Sequence, residues 1–286
     1  MGQYFAAVNK DKDEFVSPWS LGGLAKLWEW CANRQVNVLP YLLLGKDIVG
    51  EPSPNKFAGR WARSGVALVG DYDRSRLWDY TYSEAEVVDL EANQQRPYRR
   101  PEGWKPFANV SHGLAREYNA AVGEPNGEPL TNRDLVGGEW RDVPLKRPEG
   151  APTFRLGRSA CRRIGDCAER LFRVNHTKRE VICPTCLGTG GTVSDWCRVS
   201  PAGVVAYLLR KSDGGGGGDV DDPTLPFAGR WGLDDLELIP WTADLGTYTN
   251  VSSPLAAEFN AFTDCDELRL QASSCRVCDD RVAVTM

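Results

Sequence analysis

The sequence predicts an α+β protein that contains two copies of one mainly antiparallel β unit, each with one or two helices. Residues 8–43 and 174–209 align without a gap at an offset of 166 and share 13 of 36 positions, where about two would match by chance. The phrase FAGRW at 57–61 recurs at 227–231, and residues 109–120 match 250–261 at 8 of 12 positions. Because the three blocks keep their order, they indicate a tandem duplication.

The matching blocks divide the chain into four parts. We expect a first copy at 1–123, a linker at 124–165 with one strand, a second copy at 166–264 and a C-terminal tail at 265–286. The offset falls from 170 to 141 between the last two blocks, so the first copy holds 29 additional residues. Such an insertion belongs on the surface.

Each copy is predicted to open with a β-hairpin, because apolar stretches flank a short polar turn. The turns lie at 9–12 and 175–178. In the first copy a helix is predicted next, since Leu24, Leu27, Trp28 and Cys31 have helical spacing. The second copy has GTGGT at the matching place and is expected to lose most of this helix.

The remaining elements are predicted from shorter patterns. The apolar runs 38–44 and 204–209 suit either a strand or a buried helix. A second hairpin is expected from 57–61 and 66–69, with its counterpart at 227–231 and 236–239. A final helix is expected in each copy, with Ser111 or Ser252 as the N-cap.

The composition is that of a globular protein, with 42% hydrophobic and 26% charged residues among 286. The net charge of −5 argues against nucleic acid as the main partner, because phosphate contacts need basic surface. Residues 155–173 are an exception with six arginines. They form either a solvated basic segment or a contact for an anion or nucleic acid.

No stretch has the length of a signal-peptide core or of a membrane span. We therefore expect a cytoplasmic protein that does not enter a membrane. In that compartment the nine cysteines point to thiols and metal ligation rather than to disulfides.

Two C-x2-C pairs are the strongest chemical signal in the sequence. Cys183 and Cys186 form one pair, and Cys275 and Cys278 form the other. Four thiolates suit tetrahedral zinc, and a closed shell of this kind stabilises the fold rather than catalysing a reaction. The alternatives are two unrelated pairs of buried or free thiols, and redox or mixed sites that include Cys161, Cys167, Cys197 or Cys265. The first copy has Ser17 and Ser20 at the matching places, so it cannot hold the same ion.

The phrase CPTCLGTGG at 183–191 resembles one repeat of the cysteine-rich domain of DnaJ proteins, which carries four such repeats. The resemblance supports the knuckle geometry and does not imply chaperone activity.

Asp71 and Asp73 follow an apolar stretch that is predicted to be a strand. Paired carboxylates at a strand end bind a divalent ion, act as acid and base, or form a turn. Together with His112 they would be the site of a metal-dependent hydrolase. The residue that matches Asp71 in the second copy is Trp241, so the shared fold does not require this pair.

Arg60 and Glu117 recur as Arg230 and Glu258. The simplest expectation is one structural ion pair between them in each copy. Trp30, Trp61 and their counterparts Trp196 and Trp231 are expected in the core. The other tryptophans have no counterpart, and some are expected to be exposed anchors for a partner or a sugar. Examples are Trp19, Trp78, Trp104, Trp140 and Trp241.

The phrases MGQYF with Val8-Asn9, AGRW at 58–61 and VGDYD at 69–73 resemble a family of uncharacterised bacterial and phage-associated proteins. The resemblance implies no activity. The residues therefore favour a non-enzymatic, zinc-stabilised protein that binds a protein partner. The alternatives are a hydrolase with Asp71, Asp73 and His112, and an anion- or nucleic-acid-binding module at 155–173.

Overall fold

The computed structural model describes most of both predicted copies. The described residues are 3–21, 25–32, 34–49, 56–84, 86–88, 102–121, 131–136, 139–144, 171–187, 192–194, 197–198, 201–211, 225–240, 242–263 and 270. We refer to residues up to 121 as the first half and to residues from 171 onward as the second half.

The fold is α+β, as the sequence predicts. The strands are β1 (Phe5–Asn9), β2 (Glu14–Val16), β3 (Ser64–Gly70), β4 (Ala108–Asn109), β5 (Thr131–Val136), β6 (Glu139–Pro144), β7 (Phe172–Asn175), β8 (Glu180–Ile182), β9 (Thr192–Ser194), β10 (Cys197–Arg198), β11 (Arg210–Lys211), β12 (Asp234–Ile239) and β13 (Thr249–Asn250). The helices are α1 (Leu27–Ala32), α2 (Val38–Leu42), α3 (Lys46–Val49), α4 (Ser111–Ala121), α5 (Pro184–Leu187), α6 (Pro201–Leu209) and α7 (Ser252–Thr263). Short 3₁₀ helices cover Trp19–Leu21, Arg34–Asn37, Leu77–Thr81 and Ala243–Thr247.

One mixed sheet of nine strands runs through both halves in the order β13-β8-β7-β12-β3-β1-β2-β4, with β11 beside β3. The central pair, β3 and β12, is antiparallel and joins the halves directly. In this pair Gly65 lies opposite Asp235, which is the residue at the sequence offset of 170. The strands β5 and β6 form a separate hairpin where one strand was expected.

The main core lies on one face of the sheet and is shared by the two halves. It contains alternate strand residues such as Phe5, Ala7, Val66 and Leu68, together with side chains from α1, α2, α4, α6 and α7. The other strand residues form two smaller clusters on the opposite face. This alternation follows from the two-residue period of a strand.

The predicted core tryptophans are confirmed where the structure describes them. Trp30, Trp61 and Trp231 are at most 1% exposed, whereas Trp196 and Trp241 lie outside the described residues. The runs 38–44 and 204–209 suited either a strand or a helix in the sequence. In the structure, α2 covers most of the first run, and the second run is the end of α6. Helix α6 packs closely on α1 at Gly203, because only a residue without Cβ fits beside the Cys31 carbonyl.

The second predicted hairpin is wrong. Residues 57–63 are turns, and only β3 follows them. The reason is that the FAGRW phrase caps α2: the N–H groups of Gly59 and Trp61 donate to the carbonyls of Tyr41 (2.9 Å) and Leu42 (2.8 Å). Gly59 has φ +69°, a conformation that glycine adopts without strain. Residues 227–233 repeat this arrangement, with Gly229 at φ +73°.

The predicted ion pair between Arg60 and Glu117 is also wrong. Arg60 donates from Nε to both carboxylate oxygens of Glu14 (2.9 and 3.0 Å) and from Nη2 to Oε1. Trp61 Nε1 donates to the same carboxylate at 2.9 Å. Glu180, Arg230 and Trp231 form the same network in the second half.

Glu117 anchors backbone instead. Its carboxylate accepts hydrogen bonds from the N–H groups of Lys56, Phe57 and Ala58 and from the Tyr41 hydroxyl, at 2.7–3.0 Å. Glu258 accepts from Phe227, Ala228 and Tyr207 in the same way. Each glutamate therefore holds the turn that caps the helix, while the arginine of that turn reaches the hairpin. The position of Ser111 is a further correction, because it is the first residue of α4 and its hydroxyl accepts from Ser17 N–H at 2.8 Å.

Candidate functional site

Four aromatic side chains of the first half form a surface that we call the aromatic surface: Tyr4, Trp19, Trp78 and Tyr82. The rings contact one another in series, with centroid distances of 5.8 Å for Tyr4–Trp19, 6.3 Å for Trp19–Trp78 and 6.3 Å for Trp78–Tyr82. Tyr4 is 43% exposed and Trp19 is 49% exposed. The prediction that some unmatched tryptophans are exposed is therefore confirmed for Trp19.

The support beneath these exposed rings is rigid. Trp78 is only 6% exposed and packs into the cluster on the outer face of β1 and β3. Its Nε1 donates to the Tyr82 hydroxyl at 2.8 Å. Both residues lie outside the three matching blocks of the sequence. Trp78 therefore forms a buried base on which Trp19 rests.

The surroundings of the aromatic surface are acidic. Burial raises the pKa of Tyr82, and the carboxylates of Asp71, Asp79 and Glu86 raise it further, which outweighs the hydrogen bond from Trp78. Residues 71–88 contain five acidic and two basic side chains. One basic side chain, Arg76, is paired with Asp79 at 2.7 Å. A ligand on this surface meets negative potential next to exposed rings.

The second half does not repeat this surface. Trp19 corresponds to Thr185 at the offset of 166, and Thr185 is exposed. The shared fold therefore places position 19 on the outside without needing an aromatic residue there. An exposed tryptophan at a place where the fold accepts threonine is a signal of binding rather than of packing.

Asp71 and Asp73 lie in the turn after β3, as predicted, but they do not meet His112. The Asp71 carboxylate accepts the N–H of Tyr4 at 3.1 Å, and burial raises its pKa despite this hydrogen bond. Asp73 is 7% exposed and accepts a hydrogen bond from Ser75. Within the described ranges, no three histidine, cysteine or acidic side chains form a group that could hold a metal ion.

Cys183 and Cys186 lie together at the start of α5. They are 1% and 4% exposed, make no disulfide and pack with Phe172, Val174 and Leu245. The carbonyl of Cys183 accepts from Leu187 N–H at 3.0 Å, and its N–H donates to the Ser252 hydroxyl at 2.8 Å. One turn thus fixes both thiols, which suits half of a tetrahedral thiolate site. Cys275 and Cys278 lie outside the described residues.

Sequence reasoning missed a polar cluster in the second half. His176 contacts Glu237 through Nε2 (3.1 Å) and the Tyr248 hydroxyl through Nδ1 (3.2 Å), and Arg63 donates to Glu237 at 2.7 Å. Burial tends to raise the pKa of Glu237, but hydrogen bonds and charge from His176 and Arg63 hold it below its ordinary value.

A comparison of the two halves could have identified this cluster. At the matching positions the first half has Lys10, Ala67 and Phe107 in place of His176, Glu237 and Tyr248, and the second half has Leu233 in place of Arg63. Ala67, Phe107 and Leu233 belong to or pack on an apolar cluster. The same face of the sheet is therefore polar in one half and apolar in the other. Both ring nitrogens of His176 are hydrogen-bonded within the cluster, and Glu237 also accepts from Arg63 of the first half, so the cluster joins the two halves.

The basic segment falls largely outside the described residues, as residues 155–170 are not among them. Arg173 lies in β7 and is 2% exposed, so it is not part of a basic surface. No helix among the described residues is long and apolar enough to cross a membrane.

No family model, curated protein or solved structure matches this chain. The resemblance of residues 1–73 to uncharacterised bacterial and phage-associated proteins stays a prediction.

Proposed function

We propose that this protein is a non-enzymatic binding protein that engages a basic segment of a protein partner through the aromatic surface. The observation that carries the proposal is the exposed Trp19, whose ring lies between those of Tyr4 and the buried Trp78 and meets the latter edge to face. A tryptophan on a rigid base is the usual energetic centre of a protein interface, because it buries a large area at little cost in side-chain entropy.

The chemistry of the partner follows from the charges around these rings. Asp79 and Glu86 act on the Tyr82 hydroxyl, and Glu84 and Glu86 are exposed. Lysine and arginine side chains are attracted by carboxylates and also by the faces of tryptophan and tyrosine rings. The net charge of −5 adds to this attraction over longer distances. A basic segment is therefore favoured over an acidic or purely apolar one.

The two halves supply the scaffold for this surface, and we propose that they arose by duplication of one unit. The glutamate–arginine–tryptophan network and the glutamate-anchored turn are present in each half with matching partners. The pairing of Gly65 with Asp235 supports an approximate twofold relation between β3 and β12. In such a pair of units, one is free to acquire a binding surface while the other maintains the sheet.

The Trp19→Thr variant tests the surface, since threonine is the residue at the matching exposed position 185. We expect its affinity for a 12-residue lysine- and arginine-rich peptide to fall about tenfold or more, a loss typical of an interface centre. Fluorescence anisotropy of a labelled peptide measures this. Because the substitution changes no charge, the loss reports on the ring rather than on electrostatic attraction.

An Ile48→Thr variant is the matched control, because Ile48 is 38% exposed and belongs to α3, away from the ring series. It should bind the peptide as the unaltered protein does. Equal affinity of the Trp19→Thr variant and the unaltered protein would contradict the proposed site, and so would preference for an acidic peptide.

We also propose that zinc joins Cys183 and Cys186 to Cys275 and Cys278. The support is the single turn that fixes the first two thiols in a buried cluster. The ion would hold the C-terminal tail against the second half and take no part in catalysis.

Elemental analysis tests this proposal. We expect one zinc per chain, which is lost in Cys186→Ser and in Cys275→Ser because each removes one of four ligands. Cys31→Ser is the control, since Cys31 lies in the main core and should leave the zinc content unchanged. Zinc-free native protein would contradict the assignment.

A further inference from the structure

The polar cluster of the second half contains a hydroxyl, an imidazole and a carboxylate that are hydrogen-bonded in series. The Tyr248 hydroxyl lies 3.2 Å from His176 Nδ1, and His176 Nε2 lies 3.1 Å from Glu237 Oε2. The three groups come from different parts of the chain, since His176 follows β7, Glu237 lies in β12 and Tyr248 precedes β13. The fold therefore assembles this series from residues that are distant in sequence.

The state of the carboxylate determines which atoms of the series donate. Burial raises the pKa of Glu237, but hydrogen bonds and charge from His176 and Arg63 hold it below its ordinary value. The ionised carboxylate can only accept, so His176 Nε2 carries the proton and donates to it. In a neutral imidazole Nδ1 is then an acceptor, and the O–H group of Tyr248 donates to it.

A hydroxyl, a base and a group that orients the base are the parts of an activated nucleophile. The base and its orienting group are enclosed here, because the side chains of His176 and Glu237 are 12% and 9% exposed. Arg63 also donates to Glu237 at 2.7 Å and fixes the carboxylate from the side of the first half. Tyr248 is only partly buried, so a reagent can approach its ring from solvent.

A cation lies over the ring of the same tyrosine. The guanidinium carbon of Arg179 is 4.7 Å from the centroid of the Tyr248 ring, and Nη2 donates to the Thr247 hydroxyl at 2.5 Å. Arg179 is exposed, and no carboxylate among the described residues pairs with it. A guanidinium binds phosphate oxygens through parallel hydrogen bonds. The charge beside the hydroxyl therefore favours a phosphoryl group.

The shared fold does not require this arrangement. The first half has Lys10, Asp13 and Phe107 at the places of the histidine, the arginine and the tyrosine. It therefore lacks the base, the cation and the hydroxyl together. Since the same turn and strands form without these groups, packing alone does not account for them in the second half.

We propose that Tyr248 is a modification site whose activated hydroxyl accepts a phosphoryl group from an acyl phosphate. The hydroxyl oxygen attacks phosphorus, and a new P–O bond forms while the P–O bond to the acyl group breaks. The hydroxyl proton passes to His176 Nδ1 and then to solvent, and the acyl group leaves as a carboxylate. Arg179 neutralises charge on the phosphoryl oxygens during this step. One transfer per chain involves no turnover and does not depend on the aromatic surface.

Labelling with a fluorophosphonate that carries a fluorophore tests the nucleophile, because fluoride then leaves in place of the carboxylate. We expect one adduct per chain, which tandem mass spectrometry locates at Tyr248 and which Tyr248→Phe removes. Loss of the base in His176→Gln should slow labelling about a hundredfold or more. Tyr72 is the internal control, since it is 42% exposed and should react far more slowly.

The Arg179→Gln variant tests the preference for phosphorus. We expect it to slow labelling by the fluorophosphonate about tenfold or more, because charge develops on the phosphoryl oxygen. Acetylation of Tyr248 by N-acetylimidazole, a neutral reagent, should keep its native rate in this variant. Acetyl phosphate should transfer its phosphoryl group to Tyr248 in the native protein, and phosphopeptide mapping measures this.

Labelling of Tyr248 no faster than that of Tyr72 would overturn the proposal, as would a native rate in the folded His176→Gln variant. If circular dichroism shows that this variant does not fold, the ratio of the two tyrosines in the native protein decides. Equal slowing of both reagents by Arg179→Gln, or no transfer from acetyl phosphate, would contradict the phosphoryl site. None of these outcomes affects peptide binding at Trp19, which is measured separately.

Discussion

The double substitution Glu14→Gln with Glu180→Gln is expected to lower the free energy of unfolding by about 4 kcal/mol. Each glutamate is at most 4% exposed and accepts charge-assisted hydrogen bonds from an arginine and a buried tryptophan. Losing the charge at one such site costs about 2 kcal/mol, since hydrogen bonds to charged groups contribute about 1.5–3 kcal/mol. The two sites share no partner, so their effects should add.

Urea denaturation of the single and double variants at pH 7 measures this. Glu102→Gln is the control, because Glu102 is exposed and should change the free energy of unfolding by less than about 0.5 kcal/mol. The single variants Glu14→Gln and Glu180→Gln should lower the free energy of unfolding equally, because the two networks have matching geometry. A loss confined to one half would contradict the equivalence of the two networks.

The same carboxylates predict how stability depends on pH. Burial tends to raise the pKa of Glu14 and of Glu180, but hydrogen bonds from arginine and tryptophan and the arginine charge hold it below the ordinary value of 4.5. A carboxyl with a lowered pKa in the folded state stabilises the fold above its unfolded pKa. This contribution is lost as the pH falls below about 4.5. The free energy of unfolding of the double variant should therefore fall less steeply with decreasing pH than that of the native protein.

The Gly203→Ala substitution is expected to lower the free energy of unfolding by about 3 kcal/mol or more. The destabilisation should exceed the usual cost of overpacking, because the added methyl group meets a backbone that cannot move. A Cβ at position 203 would lie 1.9 Å from the carbonyl oxygen of Cys31 and 2.9 Å from its carbonyl carbon. The added methyl group would therefore push α6 away from α1, and these two helices join the halves within the main core.

Thermal unfolding measures this effect against a Gly246→Ala control, because a Cβ at position 246 meets nothing within 4 Å. The control should melt within a few degrees of the native protein. Native-like melting of Gly203→Ala would contradict the close contact between α1 and α6.

The local parts of the fold could be predicted from the sequence. The first hairpins are correct because Asn9 and Asn175 occupy turns where a side-chain oxygen accepts nearby N–H groups, a purely local effect. The helices α4 and α7 are correct because their apolar spacing is regular. These signals involve neighbours in the chain, so a sequence displays them directly.

The errors come from contacts between residues that are far apart in sequence. Arg60 pairs with Glu14, 46 residues away, and Glu117 anchors the N–H groups of residues 56–58. The recurrence of Arg60 and Glu117 as Arg230 and Glu258 indicates that each is structural, but it does not reveal which groups they contact. The FAGRW phrase was expected to be a strand because nothing in it shows that its N–H groups cap a helix.

The candidate site was predicted in part. The lack of a counterpart for Trp19 correctly indicated an exposed side chain, whereas Trp78, singled out for the same reason, is buried beneath it. The Asp71–Asp73 pair was placed correctly at a strand end, but its partner His112 was not.

Photo-crosslinking from position 19 tests the central claim most directly. A photoreactive phenylalanine is placed at position 19 in one sample and at the exposed matching position 185 in another, and both are irradiated in native lysate. The account predicts adducts at a discrete set of basic segments from position 19 only, which high salt suppresses. The same adducts from both positions, or adducts from position 19 on acidic proteins that resist salt, would contradict it.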